Sequence, residues 1–182
     1  MAANPTALIV VDMLNTYDHE DADRLTDSVA DVVEPIAGLV ARAEDAGAEL
    51  IYVNDNYGDW SSSQEELAKR AMDGRRPDLV EPLLPPPEAD FVIKARHTIF
   101  YMTPLEYLLS QKEIDHVVLA GQVTEQCILY SALDAYVRHL DVTIPTDAVA
   151  HIHEDLAEAA LNMMERNMKA KLVLAADCRL EA

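Results

Sequence analysis

Short apolar runs alternate along the chain with longer segments of helical periodicity. The runs predict strands at residues 7–11, 50–54, 91–93, 116–120, 141–144 and 172–175. Between them, apolar spacing predicts helices at residues 28–46, 63–73, 104–111, 124–139 and 154–168. The first helix shows a 3.6-residue stripe that faces a core, formed by Val29, Val32, Val33, Ile36, Leu39, Val40 and Ala43. Gly47 follows this helix as a stop signal.

The strands are almost continuously apolar, which is typical of a parallel sheet covered on both faces. Their alternation with helices predicts an α/β fold, a three-layer α/β/α sandwich with a six-stranded, mainly parallel, Rossmann-like sheet. No segment has the composition of a linker between domains, so residues 1–182 are predicted to form a single domain.

The acidic composition excludes several classes of partner. The formal net charge is -19 over 182 residues, which disfavours nucleic acid and anionic membranes because both would be repelled. No apolar run approaches the length of a membrane span, and no signal peptide is recognisable. Two cysteines do not form a disulfide framework, so we expect a cytoplasmic protein with a free thiol.

Three chemically active residues follow predicted strands. Asp12 ends one apolar run, Lys94 ends another, and Cys127 starts the helix that follows the fourth strand. The carboxyl ends of parallel strands share one edge of the sheet, where ligands bind. If the first two residues stand at neighbouring strand ends, their charges pair and the thiol lies beside them.

This grouping predicts nucleophilic catalysis. A helix N-terminus and the Lys94 charge would favour the thiolate of Cys127, and Asp12 would accept the thiol proton. Taken singly, each residue also has a structural interpretation: a small buried cysteine, a loop cap and an ion-pair partner. Cys178, in the C-terminal segment, has only the structural interpretation.

Three segments resemble the isochorismatase-like cysteine hydrolase family. GQVTEQCILYSALDA at 121–135 has the family's Gly, Thr and Cys at intervals of three, DMLNTY starts at Asp12, and KARHTIF starts at Lys94. Tyr17 stands where the family usually has Phe. The resemblance covers essentially the whole chain in order and spacing.

The resemblance implies a catalytic triad of Asp12, Lys94 and Cys127. It also implies a cis peptide bond between Val123 and Thr124, and an oxyanion hole formed by the backbone N–H groups of Thr124 and Cys127. Such preorganised donors stabilise the charge that develops on a carbonyl oxygen. Family members act on small molecules and commonly form dimers or tetramers, so a homo-oligomer is expected.

Within the family, the residues favour an amidase that needs no metal or other cofactor. Isochorismatases lack the cysteine, whereas this chain has Cys127. Nicotinamidases carry an Asp-x-His metal motif after the second strand, but here Tyr57 follows Asp55 at the His position. No His occurs between His19 and His97, so we predict no catalytic metal and no typical nicotinamidase activity.

The predicted substrate pocket contains Tyr17, Trp60, His97 and Phe100. Trp60 would cover a flat or apolar substrate, although it would equally pack its loop onto the body of the protein. His97 would be a polar contact or a hydrogen-bonded structural residue.

Three functions follow from the sequence. The leading hypothesis is hydrolysis of an amide-type C–N bond through a Cys127 thioester, with Asp12 activating both the thiol and the water. The first alternative is vinyl-ether hydrolysis with Asp12 as the acid, for which Cys127 would be dispensable. The second is a catalytically inert binding or scaffold protein.

Overall fold

A parallel sheet forms the centre of the computed structural model, which describes residues 5–182. Its strands are β1 (Thr6–Val11), β2 (Glu49–Asp55), β3 (Asp90–Lys94), β4 (His116–Gln122), β5 (Asp141–Pro145), β6 (Val149–Ala150) and β7 (Lys171–Val173). The spatial order is β3-β2-β1-β4-β5-β7, with β6 beside the end of β4. All six strand pairings within residues 5–182 are parallel, which confirms the predicted fold class. The sequence does not predict β6, because a strand of two residues is too short to form a recognisable apolar run.

The helices cover both faces of this sheet. They are α1 (Ala22–Ala46), α2 (Gln64–Met72), α3 (Pro77–Val80), α4 (Leu105–Gln111), α5 (Leu129–Val137) and α6 (Glu154–Met168). The α1 helix begins six residues before the predicted start, because Ala22 and Leu25 extend its buried stripe. It ends at Gly47, whose left-handed φ of 67° suits a glycine at a helix end. The predicted helix at 124–139 is instead a π-helical turn, Thr124–Ile128, followed by α5.

Residues of β1 alternate between two hydrophobic cores. Leu8 and Val10 pack on the face covered by α1, whereas Ile9 and Val11 pack on the face covered by α4, α5 and α6. Because side chains of a strand point alternately to opposite faces, a strand covered on both sides must be apolar at every position. Burial on both faces therefore explains the continuous apolar runs. Among residues 5–182, no helix is long and apolar enough to cross a membrane.

Gly121 lets the carboxyl ends of β1 and β4 approach each other closely. It is the register partner of Val11, and its φ is 116°. A Cβ atom at this position would overlap the backbone carbonyl oxygen of Val11. The next residue, Gln122, donates a hydrogen bond from Nε2 to the carbonyl oxygen of Asp12. Because Gly121 has no side chain, the carboxyl ends of β1 and β4 can lie close together.

We expect Gly121→Ala to lower the free energy of unfolding by about 2–4 kcal/mol, because it combines a strained φ with a backbone overlap. The matched control is Gly38→Ala, at an exposed position of α1 where an added Cβ meets nothing within 4 Å. That change should raise stability by about 0.5–1 kcal/mol, since alanine favours helix. Denaturant unfolding measures both. An unfolding free energy unchanged by Gly121→Ala would contradict the close approach.

Candidate active site

Asp12, Lys94 and Cys127 meet at the carboxyl edge of the sheet. Asp12 follows β1, Lys94 is the last residue of β3, and Cys127 lies in the π-helical turn after β4. Lys94 Nζ lies 2.8 Å from Asp12 Oδ2 and 3.6 Å from Cys127 Sγ. All three residues are buried. The structure thus brings together the three residues predicted as a triad, although β2 separates the strands of Asp12 and Lys94.

Local backbone geometry holds the Asp12 carboxylate in place. Its residue has a left-handed φ of 58°, and its N–H donates to the carbonyl oxygen of Val53 over 2.9 Å. Asp12 Oδ1 accepts a hydrogen bond of 2.8 Å from the N–H of Asp55. Both carboxylate oxygens are therefore occupied, one by a backbone donor and one by Lys94.

Asp55, at the end of the intervening strand β2, provides a second carboxylate for Lys94. Its Oδ2 lies 3.3 Å from Lys94 Nζ, and its Oδ1 accepts the N–H of Tyr57 over 2.8 Å. In the sequence, Asp55 stands out only as the first residue of an incomplete Asp-x-His metal motif, for which no metal is predicted. Across residues 5–182, no group of three or more His, Cys, Asp or Glu side chains is placed to hold a metal ion.

Burial and neighbouring charges shape the ionisation of Asp12 and Lys94. Burial raises the pKa of Asp12, and the charge of Lys94 opposes that rise. Burial, the largest single effect, would lower the pKa of Lys94, but the combined charges of Asp12, Cys127 and Asp55 and the hydrogen bond to Asp12 reverse it, so the net pKa is raised. Lys94 is therefore a permanent cation, and Asp12 is a stronger proton acceptor than an exposed aspartate.

The Cys127 thiol is protonated in the resting site. Burial raises its pKa, the charge of Asp12 raises it further, and Lys94 opposes both. Lys94 lowers the pKa of the thiol, in the direction that the sequence predicts, but it does not outweigh burial and Asp12. Lys94 is already neutralised by two carboxylates, so a third negative charge would be poorly compensated. The predicted role of Asp12 as the acceptor of the thiol proton is compatible with this environment.

The turn that carries Cys127 is tied to the segment after β6. Thr124 Oγ1 donates to the carbonyl oxygen of Ala150 over 2.9 Å. Glu125 Oε1 accepts the N–H groups of Ile152 and His153, over 3.0 and 2.8 Å. Glu125 has no local sequence signal, because its backbone partners are 27 and 28 residues away. Thr124 and Glu125 anchor the turn Thr124–Ile128, which we call the nucleophile turn after the predicted role of Cys127.

The cis peptide bond lies between Gln122 and Val123, one residue before the predicted position between Val123 and Thr124. β4 keeps its pairing with β6 up to Gln122, so the chain turns directly after that residue. Thr124 and Cys127 then occupy the π-helical turn. The oxyanion hole formed by their N–H groups stays a prediction.

Cys127 faces a cavity of about 310 Å³. Asp12, Lys94 and His97 line it with Asn15, His19, Asp21, Leu25, Asp55, Tyr57, Gln122, Val123, Gln126 and Ile152. His97 Nδ1 lies 3.7 Å from Cys127 Sγ, so the predicted position of His97 in the pocket agrees with the structure. The lining also includes His19 and Asp21 from the segment before α1, which the sequence did not mark as part of a pocket because its polar residues resemble an ordinary loop.

The other predicted pocket residues lie elsewhere. Tyr17 and Phe100 are buried, and neither lines the cavity at Cys127. Each packs into one of the two hydrophobic cores. The guanidinium carbon of Arg138 also lies over the Phe100 ring, 4.7 Å from its centroid. Trp60 is 84% exposed and lines an adjoining hollow of about 600 Å³, to which Lys94 also contributes. Aromatic character alone did not distinguish core positions from pocket positions.

Comparison with known proteins identifies the family. Residues 6–177 match the profile of the Isochorismatase domain. The chain belongs to the isochorismatase family. It is 31% identical to the uncharacterized isochorismatase family protein YaaI of Bacillus subtilis, over 94% of this chain and 95% of that protein. It is also 29% identical to the maleamate amidohydrolase of Pseudomonas putida, over 85% and 76% of the two chains.

Solved structures of this isochorismatase family share the fold. The N-carbamoylsarcosine amidase of Thermoplasma acidophilum is 25% identical, with a TM-score of 0.75 over 96% of this chain and 99% of that one. The Staphylococcus aureus nicotinamidase SaPncA is 21% identical, with a TM-score of 0.70 over 93% and 99%, and supports the fold alone. The chain is thus a hydrolase of the isochorismatase family.

We expect Lys94→Met to lower the free energy of unfolding by about 3–5 kcal/mol near neutral pH, because it leaves the buried carboxylate of Asp12 without its cation. The matched control is Lys112→Met. Lys112 also pairs with two carboxylates, Glu49 and Asp90, but its side chain is 36% exposed. Lys112→Met should lower the free energy of unfolding by at most about 1 kcal/mol. Denaturant unfolding measures both changes.

The effect of Lys94→Met should also depend on pH. The folded-state pKa of Asp12 is raised, so its ionisation weakens the fold as the pH rises through that pKa. The loss is therefore greatest at neutral pH, and it shrinks as acid protonates the carboxylate. A loss that is constant between neutral and acid pH would contradict the unpaired-charge explanation.

Glu125→Ala should lower the free energy of unfolding by about 1.5–3 kcal/mol, because it removes a charged acceptor shared by two backbone N–H groups. Glu165→Ala, at an exposed position of α6, is the control and should change it by less than about 0.5 kcal/mol. Thermal or denaturant unfolding measures both. Equal effects of the two changes would argue against Glu125 as an anchor of the nucleophile turn.

Proposed function

We propose that this protein is a cysteine hydrolase that cleaves the C–N bond of a small amide-type substrate through a thioester on Cys127. The observation that carries the proposal is the contact of Lys94 Nζ with both Asp12 Oδ2 and Cys127 Sγ, at 2.8 and 3.6 Å, beside an open cavity. A cavity of about 310 Å³ suits a small molecule. The similarity to a maleamate amidohydrolase, and to the ureidoacrylate amidohydrolase RutB of Methylorubrum extorquens, supports the reaction class.

The first half of the reaction forms the thioester. Asp12 accepts the thiol proton while Cys127 Sγ attacks the substrate carbonyl carbon, and the carbonyl electrons move onto its oxygen. The N–H groups of Thr124 and Cys127 are proposed to stabilise that oxyanion. Asp12 then returns the proton to the nitrogen, the C–N bond breaks, and ammonia or an amine leaves.

The second half releases the acid. Water attacks the thioester carbonyl, the C–S bond breaks, and the Cys127 sulfur recovers a proton as the carboxylic acid departs. Lys94 keeps the charge of the site constant, because it remains a cation beside whichever of Asp12 and Cys127 holds the negative charge. Transfer of the proton from the thiol to Asp12 therefore creates no additional buried charge.

We propose no metal-dependent step. The carboxylate of Asp55 is engaged by Lys94 and by the N–H of Tyr57, and Tyr57 stands where a metal-binding family member would carry His. A cytoplasmic location and assembly into a dimer or tetramer stay predictions from the sequence.

The experiment measures ammonia release from a panel of maleamate, ureidoacrylate, N-carbamoylsarcosine and nicotinamide. We expect Cys127→Ala to lower the rate on any active substrate by at least about 10³-fold, because the nucleophile is lost. The matched control is Cys178→Ala. Cys178 is also a buried free cysteine, but it does not line the cavity, so its variant should keep the wild-type rate.

The same variants separate the alternatives. If Cys127→Ala retains the wild-type rate of ammonia release, the thioester mechanism is wrong. The vinyl-ether alternative is favoured if a vinyl-ether substrate is hydrolysed at the wild-type rate by Cys127→Ala but not by Asp12→Asn. If the wild-type protein releases no ammonia from any amide and forms no covalent adduct at Cys127, the scaffold interpretation is favoured.

A further inference from the structure

A second proton acceptor lies beside the nucleophile. His97 Nδ1 is 3.7 Å from Cys127 Sγ, within the range of a weak hydrogen bond to sulfur. Asp12 and Lys94 also contact the sulfur, so Cys127 lies among three polar side chains. The mechanism described above uses Asp12 and Lys94 but leaves His97 without a role.

The position of His97 is fixed by the residues around it. Its ring packs against Tyr130 of α5, with centroids 5.6 Å apart and the planes tilted by 37°. The following residue, Thr98, donates from Oγ1 to Asp134 Oδ2 over 2.5 Å. The N–H of Ile99, the next residue, donates to a side-chain oxygen of α5 over 3.1 Å. These contacts hold the segment after Lys94 against α5, which keeps the His97 imidazole beside the Cys127 sulfur.

His97 and Asp12 differ in their access to water. Asp12 is only 6% exposed, and its two carboxylate oxygens are engaged by the N–H of Asp55 and by Lys94 Nζ. His97 is exposed, and it lines the cavity at Cys127 as well as two adjoining hollows that open to solvent. The imidazole is therefore more accessible to a water molecule from solvent than the carboxylate is.

We infer that His97 is a second catalytic base, which activates the water that hydrolyses the Cys127 thioester. This inference rests on the proposed function, because it requires an acyl group on Cys127. It assigns the two halves of the reaction to different bases, Asp12 for formation of the thioester and His97 for its hydrolysis. It also replaces the expectation that Asp12 activates both the thiol and the water.

The proposed step is balanced in protons and electrons. The neutral imidazole takes one proton from water as the water oxygen forms a bond to the thioester carbonyl carbon. The resulting oxyanion collapses, the C–S bond breaks, and its electron pair stays on sulfur. The imidazolium then returns the proton to Cys127 Sγ, so the products are a carboxylic acid and the free thiol. An imidazole suits this role, since its ring nitrogen can accept a proton and return it.

The test uses p-nitrophenyl acetate, which acylates a reactive thiol and releases p-nitrophenolate in the same step. A stopped-flow burst of p-nitrophenolate measures acetylation. Mass spectrometry of the intact chain, and of its peptides, measures how long Cys127 stays acetylated. His97→Phe keeps a ring against Tyr130 but removes both nitrogens, and His97→Asn keeps a polar group that cannot accept a proton.

We expect the rate of deacetylation to fall by about 10²-fold in both His97 variants near neutral pH, because they lose the general base. The burst should keep its wild-type rate, because Asp12 still accepts the thiol proton. Acetylated Cys127 should therefore accumulate in the variants. His139→Asn is the matched control, since His139 is exposed at the end of α5 and does not line the cavity. It should leave both rates unchanged.

Two results would overturn the role of His97. One is deacetylation as fast in His97→Phe and His97→Asn as in the wild-type protein. The other is an equal fall of the burst and deacetylation rates, which would mean that His97 shapes the site rather than activating water. A rate of p-nitrophenolate release that is the same in the wild-type protein and in Cys127→Ala would instead contradict the proposed nucleophile, so failure of the underlying function is distinguishable.

Discussion

The buried ion pair between Asp12 and Lys94 is the constraint on which the site depends. Burying either charge alone would cost several kcal/mol, so each requires the other, and the N–H of Asp55 satisfies the remaining carboxylate oxygen. The pair also determines the state of the nucleophile. Because Lys94 is already neutralised, it does not outweigh the effects of burial and Asp12, which raise the pKa of Cys127; in the proposed mechanism, Asp12 therefore accepts the thiol proton during attack.

The two central strands of the sheet, β1 and β4, position Asp12 beside the turn that carries Cys127. Gly121 allows β4 to approach β1, and Gln122 then hydrogen-bonds the backbone of Asp12. The turn after β4 is held from the other side by Thr124 and Glu125. The nucleophile turn is therefore fixed by contacts with both β1 and the segment after β6. Such support from rigid elements keeps reacting groups within the narrow geometry that catalysis needs.

Sequence reasoning predicted the strands well because their signal is local and strong. A parallel strand buried on both faces must be apolar throughout, and a polar residue at its end is conspicuous; Asp12 and Lys94 were found in this way. Elements set by distant contacts were missed. The β6 strand has two residues and pairs only with the end of β4, and the contacts of Glu125 cross 27 and 28 residues.

The sequence by itself determined the fold class, the family resemblance and the three candidate catalytic residues, because periodicity and motif spacing depend only on residues close together in the sequence. Only the tertiary structure decided the environment of those residues. It placed Asp55 beside Lys94 and brought His97 next to the thiol of Cys127. It also buried Tyr17 and Phe100 and left Trp60 exposed. The physical reason is that burial and charge balance depend on neighbours distant in sequence, and these set pKa values and access to water.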